Sequence, residues 1–156
     1  MKNLFSSPSR GVTYLEILFV ITIIGMLSIL GLWYFTRANT AEALKKDAQG
    51  LTAILSEARS LSLSSKNAVK YGVHLEEFQA VLFQGTSYNS SDTNNRYQPF
   101  NRAVHMLSHS LNGGGDEILF SRLTGETDNY GSVTLSLINN SLSSTTITIS
   151  SAGVIQ

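Results

Sequence analysis

Cysteine is absent from the 156 residues, so the chain can build no disulfide framework, zinc–thiolate site or thiol nucleophile. Proline occurs only at Pro8 and Pro99, which leaves the long stretch between them free of obligate helix breakers. Charged residues make up 14% of the chain, low against about a quarter in a typical soluble domain. Lys+Arg (11) balances Asp+Glu (11), and a formal charge of zero argues against a general polyanion binder. No P-loop, G-x-S-x-G or H-E-x-x-H pattern occurs. Serine is abundant, but no histidine or acid stands where it would activate one. Catalytic residues and a cofactor are therefore not expected, and 156 residues leave room for one domain plus an appendage.

What is present is unevenly spread. Lys2 and Arg10 precede the first acid, Glu16, and without residues 1–11 the balance becomes 9 bases minus 11 acids, or −2. The stretch Ile17–Phe35 (ILFVITIIGMLSILGLWYF) has no charge and 15 apolar or aromatic members among 19. That meets the roughly 20 residues that a helix needs to cross a hydrocarbon core of about 30 Å. Trp33 and Tyr34 suit the lipid–water boundary, and the basic residues ahead of the run place the N-terminus in the cytoplasm. An ordinary secretory signal has a shorter apolar core, of about 7–15 residues, followed by an A-x-A-like site that is missing here. Glu16 stands at the head of the run, where an ionised carboxylate must be paired or near an interface.

Gly11-Val12-Thr13-Tyr14-Leu15-Glu16, followed by the run from Ile17, resembles the class III signal of type IV prepilins. Basic leader, glycine, glutamate and apolar helix all fall in register. Val12 stands where the family commonly has Phe or Met, and Tyr14 replaces the usual Leu. The resemblance implies cleavage between Gly11 and Val12 by a prepilin peptidase, with N-methylation of Val12. It makes Glu16 the fifth mature residue, pairing in the filament with a subunit's N-terminal amine. It implies other pilin or pseudopilin subunits, an inner-membrane platform protein and membrane lipid as partners. It also implies a single-pass location in the bacterial inner membrane, head outward, before entry into a periplasmic or extracellular filament.

The expected organisation is a leader (1–11), an N-terminal helix (12–65) with its membrane segment at about 17–35, and a β-rich head (66–156). The fold class is α+β, with the long helix packed on a small antiparallel sheet, one face of which stays wet. Ala41, Leu44, Ala48, Leu51, Leu55 and Ala58 repeat at 3,4 spacing, the stripe of an amphipathic helix running from Thr13 to about Ser64, roughly 78 Å at 1.5 Å per residue. From Ala68 the period changes to two: Val69–Val73 and Phe78–Gln84 read as paired strands, with His74–Glu77 as their turn. Glu117–Ser121 reads as a short strand, and Ser132–Ile138 with Thr145–Ser150 as a hairpin across Asn139–Ser144. Ala152-Gly153 turns the chain into Val154–Gln156. Thr86–Asn101 reads as an irregular insertion. Leu55–Ser60 (LSEARS), Asn67–Leu75 and Ala152–Ile155 resemble the GspH/FimT-like group of pilins, although the basic C-terminal residues of its DNA-uptake members are missing.

His105 and His109 are four apart, but with Val104, Met106 and Leu107 around them they read as core or strand, and no metal site is expected. Asp92, Asn94 and Asn95, like Asp116-Glu117 beside three glycines, read as solvated loop without an EF-hand pattern. Between Thr86 and Gln156 three arginines face five acids, so no basic stripe points to nucleic acid. The function expected is a structural subunit of a type IV pilus or type II secretion pseudopilus. The alternatives are a membrane-anchored receptor or adhesin that never polymerises, or a DNA-uptake minor pilin.

Overall fold

The computed structural model describes residues 11–156, with side chains placed at 11–29 and 40–156. The expected leader up to Arg10, and the last part of the expected membrane segment, lie outside those described side chains. The chain divides at Ala38/Asn39 into two compact units. In order it forms helix α1 (Tyr14–Leu63), a single 3-10 turn (Lys66–Ala68), and strands β1 (Tyr71–Glu76), β2 (Gln79–Gln84), β3 (Arg96–Pro99), β4 (Val104–Leu111), β5 (Glu117–Phe120), β6 (Gly131–Leu137) and β7 (Asn140–Ile149).

In the second unit the 3,4 spacing of α1 becomes packing. Leu44, Ala48, Leu51, Leu55 and Ala58 are buried, joined by Ile54 and Ser62, whereas Ala41 stays exposed. The helix gives way at Ser65, whose φ of 50° is left-handed and turns the chain back toward β1. Ser62 fixes that return. Its hydroxyl accepts the Tyr71 N–H at 3.0 Å and donates to the Tyr71 carbonyl at 3.4 Å, so the buried backbone at the start of β1 is satisfied from the helix.

The α+β class stands, but the head has two antiparallel sheets rather than one. They run β3-β2-β1-β5 and β4-β6-β7, and one apolar cluster joins α1 to both. The expected turn at His74–Glu77 is corrected to Glu77-Phe78. His74 lies within β1, paired to Val81 on one side and Glu117 on the other. A central strand continues through a polar residue when the ladder is satisfied on both edges. His74 also stacks on Tyr88, with ring centroids 4.2 Å apart.

The insertion Thr86–Asn101 contains edge strand β3, where Pro99 is tolerated because edge strands need fewer donors. Its Tyr88 also lies against Phe83 (6.0 Å), which points away from the main cluster yet is buried. Both faces of β2 are therefore covered, so the expected wet face is corrected there: an aromatic from the insertion shields it. Gly72 is required beneath Phe83, since a Cβ there would lie 2.6 Å from the ring. The β6–β7 turn is shorter than expected, Ile138-Asn139, and β7 recruits Asn140–Ser144 because ladder hydrogen bonds do not depend on apolar side chains. The closing segment pairs with β7 through Ile149↔Ile155 and reciprocal Thr148–Gln156 backbone bonds of 2.9 Å.

Candidate assembly surface

Gly11, Val12 and Thr13 precede α1, and Thr13 caps it. The Thr13 carbonyl accepts the N–H groups of Glu16 (3.1 Å) and Ile17 (3.2 Å), and its hydroxyl accepts Glu16 N–H at 3.3 Å. Thr13-x-x-Glu16 is the capping-box pattern, a helix-start signal carried by the sequence itself. Glu16 sits in the first turn, where the helix N-terminus favours negative charge, and is exposed with no side-chain partner among the described residues. Around and beyond it, Val12, Leu15, Ile17, Leu18, Phe19, Val20, Ile21, Ile23, Ile24, Met26, Leu27 and Ile29 are all exposed, Met26 by 70%. The hydroxyls within this run bond to their own helix: Thr22 to the Leu18 carbonyl at 2.7 Å and Ser28 to the Ile24 carbonyl at 2.8 Å. The segment thus has few unmet polar needs and a large apolar surface on every side. Among the described residues no helix is long and apolar enough to cross a membrane; residues 30–35 of the expected segment 17–35 lie outside the described side chains.

In the head, His105 and His109 do not converge on one centre. His105 Nδ1 is 3.8 Å from Glu77 Oε1, and His109 Nε2 is 2.9 Å from Asp116 Oδ1. Each pair joins β4 to the other sheet, and among the described residues no group of three metal-ligating side chains forms. His74 has Glu76 and Glu117 oxygens at 4.0 Å on either side of its ring. Glu117 also accepts the Tyr88 N–H at 3.2 Å, and Glu76 accepts from Gln79 at 2.6 Å. Asp92 closes its own turn, accepting both the backbone N–H (2.9 Å) and the side-chain amide (2.8 Å) of Asn94; these bonds hold its pKa below the ordinary value.

Three polar residues of the helix tie the head together beyond what their spacing along the chain implies. Arg59, at the centre of the Ala-Arg-Ser element, donates to the carbonyls of Gly125 and Ala152, both at 3.2 Å, and so ties two loops to the helix. Gly153 belongs to this clasp: its φ is +73°, and a Cβ there would lie 2.0 Å from the Gly125 carbonyl oxygen. Glu57, one turn from Ala53, pairs with Arg96 of β3. Asp47 is buried and accepts the Asn101 N–H at 2.7 Å; burial raises its pKa, against the opposing pull of that bond and of Lys46. Only long-range partners give these roles, and spacing along the chain carries no sign of them.

A scan against protein-family models finds no match, and no curated protein matches the chain. Among solved structures it is similar to the type IV minor pilin FimU of Pseudomonas aeruginosa (strain PAO1) in two crystal forms. With the form in space group P65 the TM-score is 0.55 at 18% identity, over 72% of this chain and 90% of that one. With the P21 form the values are 0.56 and 19%, over 78% and 90%. What the two share is the fold, and the resemblance read from Gly11–Glu16 meets it from an independent direction: this chain has a type IV minor pilin-like fold.

Proposed function

We propose that the chain is a non-enzymatic filament subunit, of a type IV pilus or a type II secretion pseudopilus. The observation that carries this reading is the first half of α1: an apolar surface exposed all round, with one acid at its capped start. In water such a surface is strongly disfavoured, at about 25 cal/mol per Å². It needs lipid first and sister helices later. In this reading residues 1–11 are a leader removed by a prepilin peptidase between Gly11 and Val12, and Val12 becomes the methylated N-terminal residue. Residues 12–65 form the assembly helix, anchored in the inner membrane through about 17–35, and residues 66–156 form the head outside. A platform protein lifts each helix from the membrane into the bundle.

The new amine of Val12 and the Glu16 carboxylate are each costly in an apolar bundle, and far less so as a pair. Only one axial offset brings the carboxylate of one subunit to the amine of another, so the pair sets register. The test is Glu16→Leu expressed in the native host. The expected result is an undiminished membrane pool with a sheared-filament fraction reduced at least about tenfold, as for loss of a buried charge pair. An unchanged fraction with an unchanged subunit offset removes the pairing from the account.

A further inference from the structure

The β3-β2-β1-β5 sheet carries opposite charge at its two ends. β1 and β5 lie antiparallel, in register from Tyr71↔Phe120 to His74↔Glu117. At one end, Glu76 closes β1, Glu77 occupies the turn, Asp116 precedes β5 and Glu117 opens it. Two adjoining clefts share Asp116. These four carboxylates line them together with His74 and His109, and no lysine or arginine does. At the other end, Lys70 immediately precedes β1, Lys66 lies in the 3-10 turn, and Arg122 follows β5 by two residues. Arg122 Nε donates to Ser65 Oγ at 2.9 Å, which sets its guanidinium beside the segment bearing Lys66. Glu126 is the acid of that loop, so three bases stand against one acid. Glu77, Asp116, Lys66 and Arg122 are all exposed. Six residues of strand at about 3.3 Å each keep the two ends roughly 20 Å apart.

A rigid sheet holds these charges too far apart to meet within one head. We infer that the acidic end of one head docks on the basic end of a second copy of this chain. The contact rests on the filament reading above and names its head surface. Because the two patches differ, the contact is heterologous, and heterologous contacts that do not close on themselves generate open helical assemblies. Exposed ion pairs add little affinity each, so helix burial holds the subunits while the complementary ends set register and exclude the wrong neighbour. A two-fold contact would instead bring acid to acid or base to base.

The absence of cysteine allows a direct test by disulfide trapping. Full-length Glu77→Cys and Lys66→Cys variants, differently tagged, are co-expressed in the native host, oxidised, and followed in membrane and sheared-filament fractions. The expected product is a mixed Glu77→Cys/Lys66→Cys dimer in filaments, with neither variant dimerising alone. Lys66→Glu with Arg122→Glu in the second variant lowers the mixed product about tenfold, and Asp116→Lys in the first restores it in part. Filaments that contain both variants without the mixed product, or with links only between like variants or to another subunit, overturn the inference and leave the filament reading standing. The mixed product in membranes with no chain in filaments overturns the filament reading instead. Neither product nor filament incorporation overturns both.

Discussion

Helix α1 has two halves with opposite needs. Over residues 40–62 its apolar residues form one stripe, and the head covers that stripe: Leu51 and Leu55 are 0% exposed. Over residues 12–29 apolar residues occupy every side, and nothing in the described chain covers them. The first pattern is satisfied by folding. The second can be satisfied only by something outside the chain. The difference teaches that a stripe with a period of 3.6 marks a helix that serves its own domain, whereas a fully apolar one marks a helix built for lipid or other helices.

The strongest way to break this comparison is to place a charge in the first half. Ile24→Lys, midway along the exposed apolar run, should cost about 2.5–3.5 kcal/mol of membrane insertion and reduce filament incorporation roughly a hundredfold. The denaturant midpoint of the head, measured on the full chain in detergent, should not move. On an ordinary exposed surface the same change stays within about 0.5 kcal/mol, and incorporation at the wild-type level would mean that the surface has no partner. In the second half, Leu55→Ala should destabilise the head by about 2–5 kcal/mol, read as a lower midpoint in urea, whereas Ile21→Ala should leave it unchanged. Equal effects would erase the distinction between the halves. Ser62→Ala should cost about 1–3 kcal/mol, because it leaves the Tyr71 N–H and carbonyl buried without their partner.

The smallest effect sharpens the picture inside the stripe. Burial raises the pKa of Asp47 above its ordinary 3.8, so the folded head holds this proton more tightly than the unfolded chain does. Its contribution to stability is then full below 3.8 and is lost as pH rises through the higher folded value. Asp47→Asn keeps an acceptor for Asn101 and removes the desolvated charge. It should raise stability at neutral pH by no more than about 1 kcal/mol and flatten the unfolding midpoint over the mildly acidic range. A loss of stability at neutral pH instead would show that the charge itself holds Asn101.

The sequence made the helix, its stripe and the period-two strands legible because local periodicity reports burial directly. Val133, Leu135, Ile147 and Ile149 alternate, and all four are buried in the shared core. The division into two sheets was not legible, since β4 leaves β3 and joins β6 through pairings twenty or more residues distant in sequence. β3 was missed because Arg96-Tyr97-Gln98-Pro99 has no apolar face of its own, and the first half of β7 because asparagine and serine conceal an edge strand. At the helix start the prepilin-like register proposes roles for Gly11, Val12 and Glu16, whereas the Thr13 cap went unread although its spacing was on view. In the head, the partners of Arg59, Asp47, His105 and His109 depend on tertiary approach alone, as does the approach of Glu117 to His74.

The most direct test of the account is the mass of the N-terminal peptide of the native chain, recovered from sheared filaments. The account predicts a peptide that begins at a methylated Val12, with Glu16 unmodified. A peptide that begins at Met1, or a filament fraction that lacks the chain while the membrane fraction holds it uncut, would contradict it.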